Sequence, residues 1–82
     1  MEEKRIAILA IIIEEREHVP EVNDLLFEYR EHIIGRMGMP YREKELSIIS
    51  IVLDAPNSII SALSGKIGML QGVSAKAVYS KK

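Results

Sequence analysis

The segment of this sequence with the most residues suited to ligand chemistry is Gly35–Arg42, which reads GRMGMPYR. Its two glycines allow a ligand or a second backbone to approach the main chain. Each of its two arginines could hold a carboxylate or a phosphate through paired N–H groups. The alternative is a bulged edge strand with solvated arginines. The pattern marks these candidate ligand-binding residues: Gly35, Arg36, Gly38, Tyr41 and Arg42.

Metal binding has weaker support. His18 and His32 are the two histidines, and the sequence has no cysteine. A protein metal site needs three or four ligands, so a site built on these histidines would have to draw on several subunits. The simpler interpretation is a surface histidine beside a helix and another at the start of a strand. We therefore predict no metal and no cofactor, and keep a metal-binding module as an alternative.

Catalytic motifs are missing from the sequence. No Ser/His/Asp or Cys/His set can be placed, and Gly65–Gly68 (GKIG) lacks the pattern of a phosphate-binding loop. The two most apolar predicted strands contain no aromatic residue, which argues against an RNA-binding sheet. A net charge of −1 argues against a basic nucleic-acid module. We therefore predict that the protein is not an enzyme.

Hydrophobic periodicity predicts six elements in 82 residues, of which 48% are apolar. This much apolar side chain rules out a disordered chain. The predicted strands are residues 6–13, 32–41, 45–54 and 73–80, and the predicted helices are residues 19–33 and 57–70. On the first strand, alternate residues fall on two faces that are both apolar, so both faces require cover.

The order β-α-β-β-α-β is that of the ferredoxin-like fold. In that topology the first and third strands are central, and here they are the two that are apolar on both faces. The glycine-interrupted second strand and the alternating fourth strand suit the edges. The predicted fold is a single α+β domain over residues 1–82, with a four-stranded antiparallel sheet and two helices on one face.

This architecture predicts an oligomer. Two helices on one side leave the other face of the sheet bare, and the largest apolar patch on a soluble monomer is typically about 300–600 Å². The second predicted helix adds a face of small uncharged residues, with Gly65 and Gly68 inside it. A close backbone approach by another molecule would explain these glycines, but so would a helix that ends early.

The N-terminal apolar run, Ile6–Ile13, is too short for a membrane helix, which needs about 20 residues. Glutamates on both sides of the run do not fit a secretory signal. These features predict a cytoplasmic protein that does not associate with a membrane.

Three segments carry a resemblance to a known family: GRMGMPY at 35–41, LDAPNSIISALSGKIGML at 53–70, and GVSAK at 72–76. With them, nearly the whole chain resembles a small family of proposed regulators of the iron-only hydrogenase system. The family's fold is ACT-like and similar to the C-terminal domain of nickel-responsive repressors. This sequence lacks the Cys and His set that binds nickel in those repressors. Only five residues precede the first predicted strand, so a ribbon-helix-helix segment and direct DNA binding are not expected.

The resemblance implies a regulatory module that acts through another protein of the hydrogenase system. ACT-like domains bind small effectors, often amino acids, at subunit interfaces. We therefore expect a homo-oligomer, either a dimer or a tetramer, with an effector near Gly35–Arg42 and the loop after the first strand. Asn57, at the start of the second helix, would add a polar contact. A ligand-free adaptor for hydrogenase assembly is the alternative.

Overall fold

A computed structural model describes residues 3–81. The strands are β1 (Lys4–Ile13), β2 (Ile33–Tyr41), β3 (Leu46–Pro56) and β4 (Val73–Tyr79), and the helices are α1 (Val19–Glu28) and α2 (Asn57–Gly68). Three short 3-10 turns lie at Arg16–His18, Arg30–His32 and Arg42–Lys44. The predicted element order and fold class are confirmed.

The four strands form one antiparallel sheet in the order β2-β3-β1-β4, so β1 and β3 are central as predicted. Alternate residues of each strand point to opposite faces. Both helices cover the same face, where Leu9, Ile11 and Ile51 are fully buried. The core is completed by Val22 and Leu26 of α1 and a longer set from α2. That set is Ile60, Leu63 and Ile67.

The first helix is shorter than the sequence predicted. Periodicity indicated helix over residues 19–33, but α1 ends at Glu28 and a 3-10 turn leads into β2. The Tyr29 N–H bonds to the carbonyl oxygens of Leu25 and Phe27, which tightens the last turn. The 3-10 turn and the strand that follows it keep much of the apolar spacing of a helix. The apolar pattern alone therefore could not locate the end of α1.

The strand ends of the β2–β3 hairpin differ from the prediction by one or two residues. β2 begins at Ile33, one residue later than predicted, and passes through Pro40 to the predicted end at Tyr41. Proline is tolerated on an edge strand because its missing N–H faces away from the neighbouring strand. The predicted polar connection is a 3-10 turn that closes at Glu45, whose φ of 54° is left-handed. At its far end β3 runs through Pro56, two residues beyond the predicted end.

The turn between α2 and β4 depends on Gly72, whose φ is +73°. The carbonyl oxygen of Gly72 accepts a 2.7 Å hydrogen bond from the Glu14 N–H, which joins this turn to the end of β1. Within residues 3–81, no helix is long and apolar enough to cross a membrane.

Candidate functional site

The face of the sheet that the helices do not cover is the main apolar surface of the molecule. We call it the open face. Strand register places ten large apolar side chains on it. They are Ile6, Ile8, Ile12, Met37, Met39, Tyr41, Leu46, Ile48, Val52 and Val78. Ile8 is 46% exposed, whereas Leu9, its neighbour on the helix side, is fully buried. The predicted bare apolar face is therefore present in the single chain.

A row of small residues crosses the middle of the open face. Ala10 of β1 pairs with Ser50 of β3, and the next positions outward are Lys76 on one side and Met37 on the other. The rows above and below carry large branched side chains at the central strands. Hollows of about 300 Å³ and 150 Å³ lie at the two ends of the row. The open face is therefore ridged, with a shallow groove across it.

The segment Gly35–Arg42 forms most of β2, and its candidate residues point in different directions. Register pairs Gly35 with Val52 and Tyr41 with Leu46, which places both candidates on the open face. Arg36 and Gly38 pair with the core residues Ile51 and Ile49, so they lie on the helix side. No single face of the strand presents all of the predicted ligand-binding residues.

Arg36 already has a partner. One of its terminal nitrogens donates a hydrogen bond of 2.6 Å to the side-chain oxygen of Asn23 on α1. Sequence reasoning missed Asn23, because no spacing rule relates a helix position to an edge strand thirteen residues later. An anionic ligand at Arg36 would have to share the guanidinium with Asn23 or displace it.

Within one chain the structure does not bring the other candidates together. Arg42 starts the turn at the hairpin end, about 20 Å along the strand direction from Arg36. Asn57 follows the opposite end of β3, about 35 Å from the hairpin turn. Arg36, Arg42 and Asn57 therefore cannot contact one small molecule from a single subunit.

The glycines of β2 are not required by packing within the chain. A Cβ atom added at Gly35 would lie 3.7 Å from Val52, which is an ordinary contact. One added at Gly38 would lie 3.8 Å from the nearest atom, the carbonyl oxygen of Ile48. The space that these glycines leave is open to another molecule, which a binding segment needs.

The second helix presents an uncharged exposed face. Its members are Ser58, Ser61, Ala62, Gly65, Gly68 and Met69. A Cβ atom at Gly65 would have nothing within 4 Å, so no part of the described chain approaches its backbone. The alternative explanation, a helix that ends early, fails at Gly65 because α2 continues to Gly68.

His18 lies in an acidic environment before α1. Its Nδ1 lies 2.7 Å from Glu21 Oε1, and its Nε2 lies 3.5 Å from Glu15 Oε2. The hydrogen bond to Glu21 is the main cause that raises the pKa of His18 above its usual value, against a smaller opposing effect of desolvation. Glu15, Glu17 and His18 could offer three ligand atoms, all within 4.8 Å of one another. Exposed carboxylates commonly gather in this manner without a metal, and this group does not include His32.

Among residues 3–81 no polar or charged side chain is buried. The open face offers apolar side chains and exposed polar groups for contact with another molecule.

Comparison with known proteins adds the family. Residues 5–77 match the TM1266-like family, described as proposed regulators of the iron-only hydrogenase system. This chain belongs to that family. The uncharacterized protein TM1266 from Thermotoga maritima, whose structure is solved, is 42% identical to it. The two align over 96% of this chain and 100% of TM1266, with a TM-score of 0.92.

A more distant similarity concerns the fold alone. A formyltetrahydrofolate deformylase from Pseudomonas putida KT2440 aligns with a TM-score of 0.67 at 14% identity. That alignment covers 94% of this chain but 29% of the deformylase. No curated protein matches the chain significantly. The resemblance to the hydrogenase-regulator family that the sequence indicated is confirmed.

Proposed function

We propose that this protein is an oligomeric, ACT-like regulatory module of the iron-only hydrogenase system that works by binding rather than by catalysis. The observation that carries the proposal is the open face, a contiguous apolar surface on one side of a small sheet. Such a surface is typical of a protein whose working state has a partner. Membership in the hydrogenase-regulator family supplies the cellular context.

We propose further that a small anionic or amino-acid-like effector binds where two subunits meet. ACT-like domains, with which the chain shares its strand order, bind effectors at such interfaces. The positions of the candidate residues support this arrangement over a site within one chain. Because Arg42 and Asn57 lie at opposite ends of β3, only different subunits could place both against one ligand. The open space beside Gly35 and Gly38 would admit it.

Calorimetry tests the effector. Purified protein is titrated with a panel of amino acids, nucleotides and inorganic phosphate, in parallel with Arg36→Ala and Arg42→Ala. Saturable heat that either variant abolishes supports the proposal. Lys44→Ala is a matched control, since it removes a neighbouring cation of the same hairpin turn that is not a candidate. No heat across the panel would remove the effector from the proposed function.

A ligand-free adaptor is the second candidate, favoured by two observations. The guanidinium of Arg36 already forms a hydrogen bond with Asn23. In addition, α2 presents an uncharged face that contains Gly65, a glycine that packing within the described chain does not require. Under this candidate Gly65→Leu abolishes the capture of a protein of the hydrogenase system. Glu31→Leu, which adds the same side chain beyond α1, leaves the capture intact. Equal capture by both variants would exclude the α2 face as the contact.

The proposal includes a cytoplasmic location and no direct contact with DNA. Cell fractionation tests the first, and a mobility-shift assay with DNA from the hydrogenase operon tests the second. A regulator of this kind would change hydrogenase expression or maturation by binding to another protein.

A further inference from the structure

The open face has the size of a self-association surface. Its strands are about 4.8 Å apart, and the distance along β3 from Asp54 to Leu46 is about 27 Å. The projected area is therefore on the order of 500 Å². The accessible area is larger because the side chains stand out from the sheet. This approaches the roughly 800 Å² per partner that a standard protein interface buries.

The ridges and groove of the open face suit packing against a second sheet. The groove at Ala10 and Ser50 is bordered on β1 by the ridges of Ile8 and Ile12. Two sheets that pack face to face interdigitate their side chains at a separation of about 10 Å. A ridge of the same height on another copy would fill this groove.

Within residues 3–81, the charged groups of the open face form no ion pairs. Asp54 is its one carboxylate, Lys76 is the one ammonium group within its apolar area, and Lys4 lies at its end. Asp54 is level with Ile6 and Lys76 with Ala10, on opposite sides of β1. The two are about 16 Å apart from strand spacing and rise. No ion pair involves either residue in the described part of the chain.

A two-fold axis in the plane of the interface would allow both Asp54 and Lys76 to form an ion pair with the partner subunit. In an isologous dimer, if Asp54 contacts the partner's Lys76, then Lys76 contacts the partner's Asp54. The midpoint between the two residues falls on β1 halfway between Ile6 and Ala10, which is the position of Ile8. The axis must therefore pass over Ile8.

We propose that a second copy of this chain covers the open face, packed sheet to sheet about a two-fold axis over Ile8, with Asp54 opposite the partner's Lys76. This inference rests on the oligomer of the proposed function and names its surface and its symmetry. Complementary charge at two symmetric points fixes the orientation of an otherwise apolar contact.

Cross-linking tests the axis directly, because the chain contains no cysteine. Facing Cβ atoms of residue 8 would be about 7 Å apart for sheets about 10 Å apart, so a short bismaleimide is suitable. Ile8→Cys is expected to give a covalent dimer in high yield. Ile12→Cys is the matched control, since Ile12 lies on the same strand and is 41% exposed. Its two copies would be about 20 Å apart in the plane.

Charge exchange tests the orientation. Asp54→Lys and Lys76→Asp are each expected to weaken the dimer at least tenfold, measured by sedimentation at several concentrations. The double variant is expected to restore most of the affinity, because both pairs then form with reversed sign. Glu31→Lys, on the helix side of the molecule, serves as the control for net charge. Circular dichroism of each variant checks that the fold is intact.

Three results would overturn the inference. They are a wild-type chain that is monomeric at micromolar concentration, equal cross-linking at residues 8 and 12, and a double charge variant no tighter than the single ones. The effector titration fails or succeeds separately from these measurements. If the protein is a dimer but binds no effector, the proposed interface is supported and the proposed effector is not. If a monomer binds an effector, the proposed interface is wrong.

Discussion

The guanidinium of Arg36 donates a 2.6 Å hydrogen bond to the side-chain oxygen of Asn23 and so ties the edge strand β2 to helix α1. Both residues are exposed. A hydrogen bond of this kind contributes about 0.5–1.5 kcal/mol, and exposure favours the lower end of that range. The same guanidinium is the best-placed anion-binding group on β2, so structural and ligand-binding roles compete for it.

Replacing each of the two hydrogen-bond partners in a separate variant distinguishes these roles. Arg36→Ala and Asn23→Ala each remove the same hydrogen bond, so each is expected to lower the free energy of unfolding by less than about 1 kcal/mol. The variants differ in calorimetry with the effector panel. Arg36→Ala should lose binding, whereas Asn23→Ala should bind severalfold more tightly because the guanidinium is released. Equal loss of binding in both would show that the bond acts only by holding β2 in place.

The turn at Gly72 is expected to tolerate no side chain. Its φ of +73° is a conformation that L-residues rarely adopt, and an added Cβ atom would lie 2.6 Å from Glu15 Cγ. Gly72→Ala should therefore lower the free energy of unfolding by about 1–3 kcal/mol. Urea denaturation at fixed protein concentration measures this. The double variant Gly72→Ala with Glu15→Ala should recover part of the loss, and the absence of any recovery would assign the whole cost to the backbone.

Gly65 provides the opposite case in the same chain. It lies inside α2 with open space around it, and glycine in a helix costs about 1 kcal/mol relative to alanine. Gly65→Ala should therefore raise the free energy of unfolding by about that amount, which corresponds to roughly 4–8 °C in Tm for a domain of this size. A fall in stability would mean that another subunit approaches this backbone in solution.

Much of the fold could be predicted because hydrophobic pattern and topology agree. Both faces of β1 are apolar, as the sequence indicates, and the structure places Leu9 and Ile11 in the core and Ile8 and Ile12 on the open face. The same agreement placed β1 and β3 at the centre of the sheet. The errors lie at boundaries such as the end of α1, where a 3-10 turn continues a helical pattern for one more turn.

The candidate site was less predictable because it depends on contacts between elements. Spacing along β2 identified Arg36 and Arg42 but not the face that each residue occupies, which a β-bulge between Ile33 and Gly35 helps to set. A one-residue shift in register reverses the faces of a strand. The symmetric placement of Asp54 and Lys76 on either side of Ile8 likewise follows from the pairing registers of three strands. These registers cannot be read from the sequence alone.

His18 is expected to make the stability depend on pH near neutrality. Its hydrogen bond to Glu21, together with the charges of Glu21, Glu15 and Glu17, raises its pKa in the folded protein above the usual 6.5. A group whose pKa is raised by folding binds protons more tightly in the native state. Its stabilising contribution is therefore complete below about pH 6.5 and is lost as the pH rises through the higher folded value.

Thermal unfolding between about pH 6 and pH 8.5 checks this sign. The wild-type Tm should fall across the interval, and the fall should be smaller in Glu21→Gln, which keeps the size of the side chain but removes its charge. His18→Gln removes the titrating group and should flatten the profile further. Glu31→Gln, whose carboxylate forms no ion pair with His18, should retain the wild-type slope. A slope that is unchanged in His18→Gln would assign the pH dependence to another group.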